Sequence, residues 1–425
     1  MNAERWSNGP LGDVAHVEMG QSPLSEFVSD QPERGAPFLQ GNAEFTDRFP
    51  RSRLWCARPP KMARKGDALI SVRAPVGALN RADRDYCIGR GLAAVRFTGM
   101  DANFGYHALA RFSVALRQVA QGTTFEAVGG QQLRELALPC CPEPEQRRIA
   151  EILDTLDEAI RSTELVIDKL QLTKQGLLHD LLTRGLDANG ELRNPERYPK
   201  QFKDSSLGQI PCSWMVCAVQ NLLADVVPAI RSGPFGSGLL KSELVSEGVP
   251  LLGIDNVHVE RFVADYVRFV PPQKAAELSR YLVRPRDVMI TIMGTVGRCC
   301  VVPDDVGEAL SSKHVWTLTF DQRLYSPFLA CVQFNYAPWV LSHLARDEQG
   351  GIMSAIRSET LRTTMLPVPP RHEQEAIESI LSESQKRLDA ENLNAEKLKS
   401  IKKGLADDLL SGRIRVPVPD EKIAA

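Results

Sequence analysis

The sequence predicts an α+β protein with two globular modules on mixed or antiparallel sheets. Two long helices separate the modules and form an antiparallel coiled coil, and the whole is a pseudo-two-fold internal repeat. Three observations lead there. An offset of 228 places Gly122, Ala127, Leu133, Arg134, Leu138, Pro139 and Pro142 on Gly350, Ala355, Leu361, Arg362, Leu366, Pro367 and Pro370, and the register continues without a gap. A helical apolar seam follows each copy. The segments before the two helices also echo each other as short alternating apolar runs bounded by Gly and Pro. A chain with two similar halves folds most simply about a pseudo-two-fold axis, and two copies of so long a period are too few for a solenoid.

The first helix is read from Ile149, Leu153, Leu156, Ile160, Thr163, Ile167, Leu170, Lys174, Leu177 and Leu181, spaced alternately by four and three. The second copy gives Ile377, Leu381, Ser384, Leu388, Glu391, Ala395, Leu398, Lys402, Leu405 and Leu409. Such a seam over about five heptads, with charged residues between, is the pattern of a coiled coil. Polar breaks fall at equivalent places, Thr163 with Glu391 and Lys174 with Lys402. Pro and Glu open each helix and Gly185 or Gly412 closes it. A two-fold axis makes the pair antiparallel, a rod of roughly 55 Å at 1.5 Å per residue. Gly176 and Gly404, inside the helices, suggest close helix approach or a partner groove, against the alternative of fraying.

The modules repeat more loosely. The segment 65–77 aligns with 285–297, sharing Asp67/Asp287, Ile70/Ile290, Val76/Val296 and Gly77/Gly297. The segment 87–97 matches 310–320, which sets Arg90 opposite Lys313, and 37–45 resembles 250–258. Period-two alternation between turn residues marks short strands. The expected organisation is a first module over 1–141, a helix over 142–186, a linker over 187–206, a second module over 207–369, a helix over 370–415 and a flexible tail over 416–425.

Composition narrows the function. Of 425 residues 43% are hydrophobic and 24% charged, as in an ordinary globular protein. No apolar run is long enough to span a membrane and the polar start is no signal peptide, so a cytoplasmic protein without membrane contact is expected. Nine cysteines without a CxxC spacing point to reduced thiols rather than zinc or disulfides. Net charge is −2, yet residues 51–96 hold eleven Lys and Arg against Asp67, Asp83 and Asp85. Arginine forks bind phosphates and guanines bidentately, and the distribution of charge matters more than its sum.

Catalytic signatures are missing. The strings nearest to a methyltransferase motif, Asn194-Pro195-Glu196-Arg197 and Phe235-Gly236-Ser237-Gly238, do not have its residues. Glu308 and Lys313, after Pro303-Asp304, are too far apart for a nuclease of the P-D…D/E-x-K kind. The seven histidines lack H-E-x-x-H spacing and the phosphate-loop lysine is missing.

The chain strongly resembles the specificity subunits of type I restriction–modification enzymes, over nearly all its length. The resemblance rests on the L-P-x-x-P-x-x-E-Q runs from Leu138 to Gln146 and from Leu366 to Gln374, and on the helix endings GLLHDLLTRG and GLADDLLSGRIRV. LGQIPCSW (207–214), SGPFGSGL and the turn at 294–297 complete it. Cys140-Cys141 and Ala74-Pro75 depart from the family pattern locally. The resemblance implies a non-catalytic subunit whose two target-recognition domains each read half of a bipartite site in double-stranded DNA. It implies two methyltransferase subunits docked on the coil and, in some complexes, restriction/translocase subunits. No cofactor is expected in this chain; S-adenosylmethionine, ATP and Mg belong to the partners. The expected DNA-contacting residues are Gln40, Asn42, Arg73 and Arg90 in the first module and Arg231, Asn256, Thr295 and Lys313 in the second. The alternative is a coiled-coil assembly scaffold that does not read DNA.

Overall fold

A computed structural model describes residues 6–32, 34–113, 116, 127–345 and 355–417. The repeat pair Gly122 and Gly350 and residues 418–425 of the expected tail therefore lie outside the described residues. The chain divides into two compact units, Met1–Val166 with Glu391–Ala425, and Ile167–Ala390. The first unit is made of two separate stretches and the second of one, and each takes part of both long helices.

Besides a two-stranded pairing of Ser7–Pro10 with Ala137–Cys140, the first unit holds two larger sheets. One is a four-stranded antiparallel sheet in the order Ala15–Met19, Leu92–Phe97, Ala68–Ser71, Leu79–Arg81. The other has five short strands and is mixed, with Ala36–Leu39 parallel to Tyr86–Ile88. Strand Ala68–Ser71 is buried along its whole length, so its apolar residues run on instead of alternating. Helix α1 (Ala102–Phe112) starts at Asp101, whose carboxylate accepts from the amides of Asn103 and Phe104. It packs Phe104, Ala108 and Leu109 onto Ile70, Val95 and Leu133.

The second unit repeats this plan. Its four-stranded sheet runs Ile230–Ser232, Val315–Leu318, Val288–Thr291, Cys299–Val301, and in a second sheet Val249–Leu252 is parallel to Ala309–Ser311. Helix α3 (Pro327–Tyr336), capped by the Ser326 hydroxyl, buries Leu329, Val332 and Phe334 beside Trp214 and Tyr325.

The long helices are α2 (Glu143–Thr183) and α4 (Arg371–Leu409). In the first unit the start of α2 (Ile149, Leu153) shares a core with the end of α4 (Leu405, Leu409). In the second, the end of α2 (Leu177, Leu181) shares one with the start of α4 (Ile377, Leu381). That is antiparallel pairing, as expected. Every seam position read from the sequence is buried or half-buried, Leu156, Leu170 and Leu398 being among the half-buried ones. The two seam lysines are satisfied by opposite partners. Lys402 is paired with Asp157, while Lys174 bonds Glu260 and donates to Gln385 Oε1 at 2.5 Å. Gly176 and Gly404 are exposed, with nothing within 4 Å of an added Cβ, so close helix packing is not their reason.

The Glu-Gln pair opening each long helix has a geometric explanation. Gln146 donates to the Cys141 carbonyl at 2.6 Å and accepts from the Asp101 amide at 2.8 Å. Gln374 does the same with the Pro369 carbonyl (2.9 Å) and the Ser326 amide (2.9 Å). Each glutamine thus fixes its long helix to the N-terminus of its module helix. Each glutamate grips the segment leaving the other long helix. Glu373 receives Arg193 and the Leu186 amide, and Glu145 receives Arg415 and the Trp6 indole.

Candidate nucleic-acid interface

Ion pairing inside the first module removes much of the positive patch read from the sequence. Lys61 pairs with Glu18, Arg64 with Asp85, Arg84 with Asp83 and Arg96 with Asp67. Arg81 bonds Asn103 and stacks on Tyr106, and Arg58 lies over Phe27. Five side chains keep no hydrogen-bond, ion-pair or ring partner among the described residues: Arg51, Arg53, Lys65, Arg73 and Arg90. Arg73 and Arg90 line one cavity of about 400 Å³ with Gln40, Ser22 and Phe38.

The backbone explains why these groups meet. Val72, next to Arg73, donates its amide to the carbonyl of Gly91, next to Arg90, at 2.9 Å. Gly89 and Gly91 flank Arg90 and lie against the Gln40 backbone; a Cβ on Gly91 would come within 2.6 Å of the Gln40 carbonyl oxygen. Glycine here permits close approach of two backbones, and both arginines are left exposed. Gly20 has the same role: its added Cβ would sit 2.1 Å from the Gly89 carbonyl oxygen, and its amide already bonds Leu92. In the second module Gly233 mirrors it against Ser311, its amide bonded to the Ser312 carbonyl. Gly20 and Gly233 are therefore packing devices, and their two amides are spent on the protein.

Of the four residues expected in the first module, Gln40, Arg73 and Arg90 come together. Asn42 is half-buried one turn beyond Gln40 and does not line the cavity. In the second module Lys313 is exposed and borders two hollows. One, of about 330 Å³, carries Leu239, Leu244, Arg268 and His314; the other, of about 490 Å³, carries Phe235, Met293 and Trp316. Burial, with the nearby charges of Lys313 and Arg268, lowers the His314 pKa, which favours a neutral imidazole.

Three expectations for the second module are corrected. Arg231 is 3% exposed and ion-paired with Asp287, and it donates further to the Leu282 carbonyl and the Thr319 hydroxyl. Its fork is consumed inside the fold. Burial pushes the Asp287 carboxyl up and the Arg231 guanidinium down, and their mutual attraction opposes both shifts. Asn256 is 2% exposed: its Oδ1 accepts from the Gly253 amide, and its Nδ2 donates to the Val263 and Asp265 carbonyls. It closes a turn. The Thr295 hydroxyl oxygen is buried and so cannot reach an outside ligand. Ser22 and Ser25, outside the expected set of contact residues, also line the first cavity; Ser22 belongs to the Gly-Gln-Ser-Pro run after strand Ala15–Met19.

Elsewhere, His107 meets Asp154 at 2.8 Å and lies 4.0 Å from Asp157, which Lys402 already neutralises. Burial and the neighbouring Cys56 push the Cys87 thiol up to about 12, which keeps it protonated near neutral pH. No helix among the described residues is long and apolar enough to cross a membrane.

A paired module-plus-helix repeat, closed by two antiparallel helices and carrying a cationic hollow in its first module, defines a class. Residues 3–172 match the type I restriction modification DNA specificity domain. The chain is similar in sequence and fold to the specificity subunits of type I restriction–modification systems. It is 34% identical over 184 residues to the putative type I restriction enzyme MjaX specificity subunit of Methanocaldococcus jannaschii, covering 42% of this chain and 43% of that one. It is 25% identical over 322 residues to the MjaVIII specificity subunit of the same organism, covering 75% and 71%. The matched region therefore spans less than half the length of the first relative. The crystal structure of a type I restriction–modification S subunit from M. genitalium shares the fold, with a TM-score of 0.61 at 16% identity over 96% of this chain and 97% of that one.

Proposed function

We propose that the chain is the DNA-sequence-recognition subunit of a type I restriction–modification complex, reading a bipartite duplex site with one module per half-site. The observation that carries this reading is the pair of exposed arginines, Arg73 and Arg90, without side-chain partners among the described residues and gathered with Gln40 in one hollow. The repeat-equivalent position in the second module holds exposed Lys313. Arg, Lys and Gln in a concave surface are the donors that read base edges and hold phosphates. The paired helices, with their repeated outer faces, suit two copies of one methyltransferase subunit. The chain itself performs no chemistry in this reading. S-adenosylmethionine is held by the methyltransferases, and ATP and Mg by a translocase–nuclease where one joins.

The test is a binding titration of the full chain, co-purified with its methyltransferase, against duplexes selected from a random pool at several salt concentrations. Enrichment of a two-part sequence, with affinity falling as salt rises, is the expected result. Binding without any sequence preference would leave the scaffold reading in its place.

A further inference from the structure

Resting on that reading, we infer that Arg73 and Arg90 form a guanine-reading pair, so that the first half-site contains guanine read through the major-groove edge. The argument begins with elimination inside the first module. Six of the eleven cations in 51–96 are held by acidic, amide or aromatic partners, which leaves Arg73 and Arg90 as the two guanidiniums that share a hollow without a partner among the described residues. Their backbones are pinned: the Val72–Gly91 hydrogen bond ties the two positions together, and Gly89 and Gly91 press against Gln40. A fork on a fixed backbone loses less freedom on forming two parallel hydrogen bonds, which suits the O6 and N7 acceptors of guanine. Arg51, Arg53 and Lys65 are outside the hollow and suit phosphates instead.

The internal repeat supplies a contrast. Ile292 donates to the His314 carbonyl at 2.9 Å, as Val72 does to Gly91, so Met293 stands where Arg73 does and Lys313 where Arg90 does. Neither can make a planar bidentate contact. The second module is not expected to share this mode of reading.

The experiment uses the full chain with its methyltransferase and the selected bipartite duplex. At the guanine of the first half-site, 7-deazaguanine removes the N7 acceptor, while hypoxanthine keeps N7 and O6 and loses only the minor-groove amino group. The wild-type complex should lose about tenfold or more in affinity with 7-deazaguanine and change little with hypoxanthine. Arg73→Lys and Arg90→Lys keep the charge and remove the fork; one or both should flatten base preference at a single position of the first half-site. Each should leave the second half-site's preference intact, which also reports that the variant is folded. Two outcomes overturn the inference while leaving DNA reading in place: unchanged binding to the 7-deazaguanine duplex, or lysine variants with wild-type preference at every position. A uniform, salt-dependent loss across all sequences would assign both arginines to phosphates and likewise overturn it. A wild-type complex with no preference at all contradicts the proposed function itself.

Discussion

Arg193 closes on Glu373 through two parallel hydrogen bonds, at 2.6 and 3.0 Å, with the carboxylate 2% exposed. This fork ties the segment after α2 to the first turn of α4. The repeat supplies a second such fork, Arg415 on Glu145 at 2.7 Å for both bonds, but here the arginine side chain is 58% exposed.

The two forks should therefore differ in strength. Arg193→Ala leaves a buried carboxylate without its counter-charge, a loss of about 3–5 kcal/mol. Glu145 is as buried as Glu373, but in Arg415→Ala it keeps the Trp6 indole and the Val416 amide and water can take the place of an exposed guanidinium, so the loss should be smaller. Urea denaturation of the two variants, followed by tryptophan fluorescence, measures the difference. Equal midpoints would contradict it.

Glu145 also predicts a pH dependence. Burial raises its pKa, but bonds from Arg415, the Trp6 indole and the Val416 amide outweigh burial and hold it below the ordinary 4.5. A depressed carboxylate stabilises the fold fully above its unfolded value, and that contribution disappears as pH falls through the folded one. The first unit should lose stability on acidification below about 4.5. In Arg415→Ala the same titration should be shallower, as read by denaturation midpoints between neutral and acid pH.

The buried pair in the second module separates stability from recognition. Arg231→Ala strands Asp287, which is 0% exposed, and should destabilise by about 3–5 kcal/mol. Lys313→Ala removes an exposed cation and should leave the thermal midpoint nearly unchanged. If Lys313 contacts a phosphate, its loss lowers the salt slope of DNA binding by about one unit. Melting curves and salt titrations on both variants check the assignment.

Glycine close approaches should give module-specific damage. The Cβ of Gly20→Ala would lie 2.1 Å from the Gly89 carbonyl oxygen, and that of Gly233→Ala 2.1 Å from the Ser311 one. Backbone must shift in either case, at a cost of about 1–3 kcal/mol or more. Gly20→Ala should blur selection at the first half-site and Gly233→Ala at the second, as seen by duplex selection with each variant complex.

The helices and their pairing were legible because periodicity is a local signal: Ile149, Leu153, Leu381 and Leu409 announce their face by spacing alone. Recognition residues were less legible for two physical reasons. Arg231 and Asp287 are 56 positions apart in the chain, and no local pattern distinguishes a buried ion-paired arginine from a free one. Asn256 was readable in principle. Gly253 donates to Asn256 three residues on, as Gly41 donates to Glu44, so the aligned turns held a local capping signal. The alignment of 37–45 with 250–258 slips by one residue after the strand, since Gly41 corresponds to Gly253, and this slip hid the cap. The cavity of Arg73 and Arg90 depends on the Val72–Gly91 bond, which sequence spacing does not reveal.

The most direct measurement is the half-site specificity of a chimaera in which residues 1–141 are replaced by the corresponding segment of a relative with a different known site. The chimaera is expressed with its methyltransferase and the methylated sequence is read across the genome. The account predicts that one half of the bipartite site changes to that of the donor while the other half stays as in the parent. Methylation with neither half altered, or loss of both halves from a complex that still assembles, would contradict it.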